Sequence, residues 1–156
     1  MWPRLPAFWL KLRFNFWPPF LGAGIRVRRM NRDFREVVVE LPARWFNHRL
    51  NGAHFGASLF AMTDPFFALM LERNLPRDYV VWDKAGSIDF LAPGRGRVRA
   101  TLRLAQHDLD VIARTTADGE KHLHLFHVEV VDAEGLVVAR VNKLVYVRRQ
   151  REAAAP

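Results

Sequence analysis

Between residues 97 and 104 the chain alternates with a period of two. Val98, Ala100, Leu102 and Leu104 share one side, and Arg97, Arg99, Thr101 and Arg103 share the other. Alternation of this kind places successive side chains on opposite faces of a strand. Similar patterns predict strands over 34–41 (FREVVVEL), 79–91 (YVVWDKAGSIDFL), 121–131 (KHLHLFHVEVV) and 136–149 (LVVARVNKLVYVRR). Residues 93–96 (PGRG) read as a turn, Asp118-Gly119 as another, and residues 132–135 as the hairpin joining the last two strands. A short helix is expected over 107–114.

Two segments carry a helical period instead. Over 4–17, Leu5, Phe8, Trp9, Leu12 and Phe16 recur at helical spacing, and Pro18-Pro19 is expected to end the helix. A helix docked on the domain or on a partner subunit is preferred here to a membrane-surface anchor. The second segment, FGASLFAMTDPFFALMLERNLP, is apolar in every direction at helical pitch. Such a helix is buried on all sides, and Pro65 should kink it or end its first half. One helix, a strand, a buried central helix and then about four hairpin-connected strands imply an α+β domain whose antiparallel sheet, of five to six strands, curls round the helix. A curled sheet leaves one flank of that helix uncovered, which implies a dimer. The chain divides into an N-terminal amphipathic helix (1–20), one domain (21–150) and a frayed tail (151–156).

Composition narrows the function classes. Half of the residues are hydrophobic and 12% aromatic, which excludes a disordered chain. No cysteine is present, so disulfides, thiolate catalysis and cysteine-bound zinc are excluded. The net charge is +8, a field that nucleic acid, an anionic membrane or a phosphorylated ligand could use. The basic residues form no helical stripe and no nucleic-acid-binding motif, so a nucleic-acid partner is not expected. No apolar run reaches the roughly 18 residues of a spanning helix. The aromatic N-terminus is broken by Arg4, Lys11, Arg13 and Asn15, unlike a signal peptide. A cytoplasmic protein is expected.

Gly56 at the helix entry, followed by SLFAMTD ending at Asp64, resembles the helix start of the phenylacetate-pathway type of acyl-CoA thioesterase, a hot-dog-fold family. The longer pattern NGAHFGASLFAMTDPFF, YVVWDKAGSIDFLAPGRG and VVARVNKLVYVRR resembles a bacterial hot-dog branch classed as a domain of unknown function. Its members are described as candidate tetrameric acyl-CoA thioesterases. The resemblance covers roughly residues 20–149, the size of a whole domain. It implies a curled sheet around a central helix, a dimer or tetramer, an acyl thioester substrate and a helix-borne Asp at Asp64. This chain departs from the family's His-Gly-Gly turn: Phe55, Gly56 and Ala57 stand there, and His54 is one place early.

Thioester hydrolysis needs a polarised carbonyl beside a base or nucleophile. A helix N-terminus offers unpaired N–H groups, so the N–H of Gly56 or Ala57 is the candidate oxyanion donor. Asp64 is the candidate carboxylate, as general base or nucleophile. Eight residues of helix separate Gly56 from Asp64 by about 12 Å, so joint action would require two subunits. Asn51 and His54 are candidates to orient substrate or water, and Asp83 is a second carboxylate. Each has a simpler reading: Asp64 as a helix-start cap before Pro65, Gly56 as close packing, Asn51 and His54 as loop residues satisfying their own backbone, Asp83 in a salt bridge. Ser58 lacks a His–Asp partner in sequence.

Arg95, Arg97, Arg99, Arg103, Lys143, Arg148 and Arg149 could receive coenzyme A phosphates. A solvated strand face is the simpler account of each. His122, His124 and Glu129 match half of a cupin-like metal pattern, but Glu129 falls on the opposite pleat face, so no metal is expected. Nor is a cofactor expected, coenzyme A entering only as part of the substrate. The rival reading is a hot-dog protein that binds acyl-CoA or acyl chains without turnover.

Overall fold

The structure, a computed structural model, describes residues 5–150. The frayed tail expected over 151–156 lies outside them, as does Arg4.

Two short helices come first, α1 (Ala7–Phe16) and α2 (Pro18–Ala23). The proline pair ends the first helix as expected, but Pro18 also starts the second. Its fixed φ suits a first helical turn, where no intrahelical N–H bond is lost. Gly24, at φ +78°, closes α2 in the left-handed conformation. Strand β1 (Arg26–Met30) follows and pairs antiparallel with β2 (Glu36–Leu41). The sequence reading missed β1 because RVRRM has a bulge between Val27 and Arg29 that breaks the alternation. It also began β2 two residues early. Phe34 sits at φ +54° in the β1–β2 turn, where its N–H donates to Asn31 O at 3.0 Å.

The central apolar segment forms α3 (Gly56–Ala61) and α4 (Phe66–Asn74), parted by residues 62–65 and a cis Asp64–Pro65 peptide. Pro65 therefore ends the first half instead of only bending it. Strands β3 (Tyr79–Phe90) and β4 (Val98–Arg103), helix α5 (Gln106–Thr115), and the hairpin β5 (Lys121–Val131) and β6 (Val137–Arg149) complete the chain. Asp108 reaches back to accept from the Ala105 N–H at 2.9 Å, securing the start of α5.

The strands form one antiparallel sheet in the order β1-β2-β4-β5-β6-β3. Its inner face carries Val37, Val39, Leu41, Ala100, Leu102, Val128, Val130, Val141 and Val145, all buried. That face closes on α4, where Phe67 stacks on Phe126 of β5 with centroids 4.3 Å apart and planes 7° from parallel. Phe66, on the next position of α4, meets Phe14 of α1 at 5.2 Å and Phe20 of α2 at 6.0 Å. The N-terminal helices are thus bolted to the same core. A side chain of this size contributes about 3 kcal/mol by burial.

Among the described residues no helix is long and apolar enough to cross a membrane. Strand β3 ends the sheet, bonded only to β6, and leaves Trp82 and Phe90 exposed at 45% and 57%.

Candidate active site

Alternation along β6 turns Ala139, Val141, Val145 and Val147 into the core. Lys143 falls in the same register, and its side chain is only 3% exposed. A lysine cannot remain charged there without anionic partners, and two are present. Its Nζ donates to Asp64 Oδ1 and lies 3.9 Å from Asp83 Oδ1. The ammonium also sits 5.0 Å from the centroid of the Phe60 ring, a cation–π distance. Gly86 of β3 faces Lys143 across the ladder. A Cβ on Gly86 would stand 2.7 Å from Phe60 Cζ and 3.3 Å from Lys143 Cδ, so glycine leaves the room both side chains need.

The two carboxylates differ. Asp64 is 44% exposed in the turn between α3 and α4, so water reaches it while Lys143 holds one oxygen. Asp83 is 22% exposed, and its Oδ1 is buried with no hydrogen-bond partner among the described residues. Burial pushes the Asp83 carboxyl above the usual carboxylate range; Lys143 opposes this, and the neighbouring Asp64 charge adds to it.

A second group of candidates lines a cavity of about 380 Å³ bounded by Arg49, Asn51, His54, Gly56, Leu59 and Phe90, among others. His54 is 4% exposed. Its ring Nε2 is 2.7 Å from Gly96 O. A carbonyl only accepts, so Nε2 carries a hydrogen, and the other ring nitrogen is Nδ1. That Nδ1 is buried with no hydrogen-bond partner among the described residues. Asn51 shapes the loop, its Oδ1 accepting from the Ala53 N–H at 3.1 Å. Gly56 opens α3, and a Cβ there would lie 2.8 Å from Phe90 Cζ. The N–H groups of Gly56 and Ala57 fall in the first helical turn, which has no intrahelical acceptors to offer them, and Ala57 is exposed.

The structure therefore sorts the sequence candidates into two groups. Asp64 and Asp83 meet on Lys143; Asn51, His54 and Gly56 border one cavity. Gly56 and Asp64 do not share a continuous helix, so the separation reckoned from helical rise no longer applies. Lys143 was read only as a possible partner of coenzyme A phosphates, not as the partner of Asp64 and Asp83, and Phe90 was missed as a site residue. The register of β6 was the available signal for Lys143, since VVARVNKLVYV places it in line with buried valines.

The arginine readings change as well. Glu40, 4% exposed at its side chain, accepts from Arg28 at 2.7 Å and Arg99 at 2.8 Å, with Arg97 at 3.9 Å. Arg103 pairs with Glu36 at 2.9 Å, Arg149 with Asp78 at 2.6 Å, and Arg148 donates to Gly119 O at 2.9 Å. Arg28, Arg99 and Arg103 pair across strands, Arg97, Arg148 and Arg149 have partners of their own, and Lys143 serves the buried cluster; Arg95 stays exposed in its turn. His124 Nε2 lies 3.2 Å from Asp108, whereas Glu129 pairs with Arg140 at 2.9 Å.

A family model described as "Domain of unknown function (DUF4442)" matches residues 8–147. No protein of curated function matches the chain. Among solved structures, a Pseudomonas aeruginosa protein of unknown function, PA5026, described as a probable thioesterase, superposes with a TM-score of 0.80 at 18% identity, over 94% of this chain and 97% of that one. Thioesterase HI1161 from Haemophilus influenzae gives a TM-score of 0.66 at 12% identity, covering 98% and 97%. The PaaI protein from the Escherichia coli phenylacetic acid degradation operon gives 0.57 at 17%, covering 92% and 93%. At these identities the likeness is one of fold, and the fold is the hot-dog fold.

Proposed function

We propose, for a chain that belongs to the DUF4442 family, that it hydrolyses an acyl thioester, with acyl-CoA as the substrate class. The observation that carries this reading is the half-exposed Asp64 carboxylate, gripped by the buried Lys143 beside the desolvated Asp83. A carboxylate held this way is oriented while its other oxygen faces water. Asp64 takes a proton from that water as the water oxygen bonds to the thioester carbon. The carbonyl oxygen gains charge and is met by the N–H groups of Gly56 and Ala57. The C–S bond then breaks, the thiolate leaves with a proton, and a carboxylic acid and a free thiol result. Asn51 and His54 line the cavity beside Gly56 and would seat the acyl group, the unpartnered His54 Nδ1 hydrogen-bonding to water or substrate.

Asp64 and the Gly56 cavity form separate groups within one chain. A second copy, covering the exposed β3 edge, would bring one protomer's carboxylate to its partner's cavity. The reading places the enzyme in the cytoplasm as a dimer or tetramer, needing no cofactor beyond the coenzyme A of its substrate.

The rival is a hot-dog protein that binds acyl-CoA without turnover. It is favoured by the same ion pair, because the Asp64 oxygen that Lys143 occupies is not open to a water. Thiol release from short-, medium- and long-chain and aryl acyl-CoAs, comparing the native chain with Asp64→Asn and Gly56→Ala, separates the two. Hydrolysis lost about 100-fold or more in Asp64→Asn, with oligomer and melting temperature unchanged, supports the enzyme. Equal rates in both remove Asp64 from the reaction. Acyl-CoA binding with no thiol release supports the binder.

A further inference from the structure

Docking of α1 on the domain accounts for only one of its faces. At about 100° per residue, Ala7, Leu10 and Phe14 point one way and are buried. Phe8, Leu12, Phe16 and Trp9 fall within an arc of about 100° on the opposite side, exposed at 63%, 36%, 66% and 56%. Lys11 and Arg13 stand at the two seams between these faces. The helix is apolar front and back, with a cation on either border.

We propose that this outer face is a docking surface for an anionic lipid bilayer. The occupant is argued from charge. The first 32 residues hold seven Lys or Arg and no Asp or Glu; Arg28 and Arg29 pair with Glu40 and Glu36 of β2, and α1 itself carries two cations and no acid beside its aromatic face. Arg26 and Lys11 both reach across between α1 and β1, to Asn15 O and Arg28 O, which keeps that charge beside the stripe. An aromatic stripe flanked by Lys and Arg is the arrangement that lets rings enter the acyl boundary while the cations meet lipid phosphates. A second copy fits less well. A two-fold contact through this face would set Lys11 and Arg13 near their own equivalents, cation against cation.

The helix is also pre-organised. Asn15 clamps it to β1 by accepting from the Val27 N–H at 2.7 Å and donating to Val27 O at 3.1 Å. Phe14 is wedged against Phe20 and Phe66. Membrane contact would therefore require no coil-to-helix ordering, the step that costs affinity in disordered anchors. The geometry describes a folded domain resting on the bilayer by one helix, its interior unchanged. This proposal stands independently of any hydrolytic activity.

Co-sedimentation of the full chain with vesicles tests it, using phosphatidylcholine alone and phosphatidylcholine with phosphatidylglycerol. Binding is expected to the anionic vesicles, to weaken at 0.5 M salt, and to fall at least tenfold in Phe8→Ser/Trp9→Ser/Phe16→Ser and in Lys11→Gln/Arg13→Gln. Leu136→Ser, an exposed apolar residue in the β5–β6 turn, should bind as the native chain does. Melting temperatures establish that each variant folds. Failure of the native chain to sediment with anionic vesicles at low salt overturns the proposal, as does undiminished binding by the triple variant. A triple variant that shrinks in light scattering, with no vesicle binding by the native chain, assigns the face to self-association and equally overturns it.

Discussion

Replacing Lys143 with Met keeps the length and the buried stem of the side chain but deletes its charge. At 3.9 Å and an effective dielectric of about 20, the attraction between Lys143 and Asp83 amounts to about 4 kcal/mol. Asp64 is more than a third exposed, so solvent screens its part and Asp83 carries the effect. Burial already lifts the Asp83 carboxyl above its ordinary value, with Lys143 as the restraint. Without that restraint the carboxyl should rise further and hold its proton more tightly in the folded state.

A carboxyl raised in the folded state binds its proton more tightly there than in the unfolded chain. Its favourable contribution is complete below the unfolded pKa and disappears as pH rises through the folded one. Lys143→Met should therefore be near-neutral around pH 4, where the protonated Asp83 is an uncharged group and the buried ammonium no longer has to be desolvated. By pH 8 it should lose about 3–4 kcal/mol against the native chain, because a buried carboxylate is left unpaired. Urea unfolding of both proteins at half-unit pH steps measures this. Adding Asp83→Asn to Lys143→Met should flatten the pH dependence. A Lys143→Met penalty that is equal at pH 4 and pH 8, or larger in acid, refutes the assignment of the stress to Asp83.

Two further outcomes rest on separate parts of the fold. Glu40→Ala removes the charge-assisted hydrogen bonds from two arginines, one from Arg28 and two from Arg99, at roughly 1.5 kcal/mol per arginine. Arg99 and Arg28 hold this carboxyl below its ordinary value against the opposing effect of burial. Its stabilisation is thus present above the unfolded pKa and lost as pH falls through the folded one, so the variant's deficit of about 3 kcal/mol at pH 7 should shrink on acidification in chemical denaturation. Phe67→Ala deletes the ring stacked on Phe126 and should cost about 3–5 kcal/mol, read as a lowered urea midpoint with an unchanged slope.

How much of this could be read from the chain depended on whether a residue's role was local. The strands at 98–103, 121–131 and 137–149 were legible because alternation is a property of neighbours along one segment. The division at Pro65 was legible for the same reason, since proline acts on its own turn. Strand β1 was not, because its partner β2 and its bulge define it more than its own composition does. The site divides along the same line. Asp64 stood out as a lone carboxylate in an apolar run, whereas its partner lies 79 residues away. Lys143 looked like one more basic residue on a solvated strand, yet the register of β6 already turned it inward. A cation in a buried register forces the question of which anions meet it. Asp64 and Asp83 are the answer, and neither can be altered without changing the electrostatics of the other.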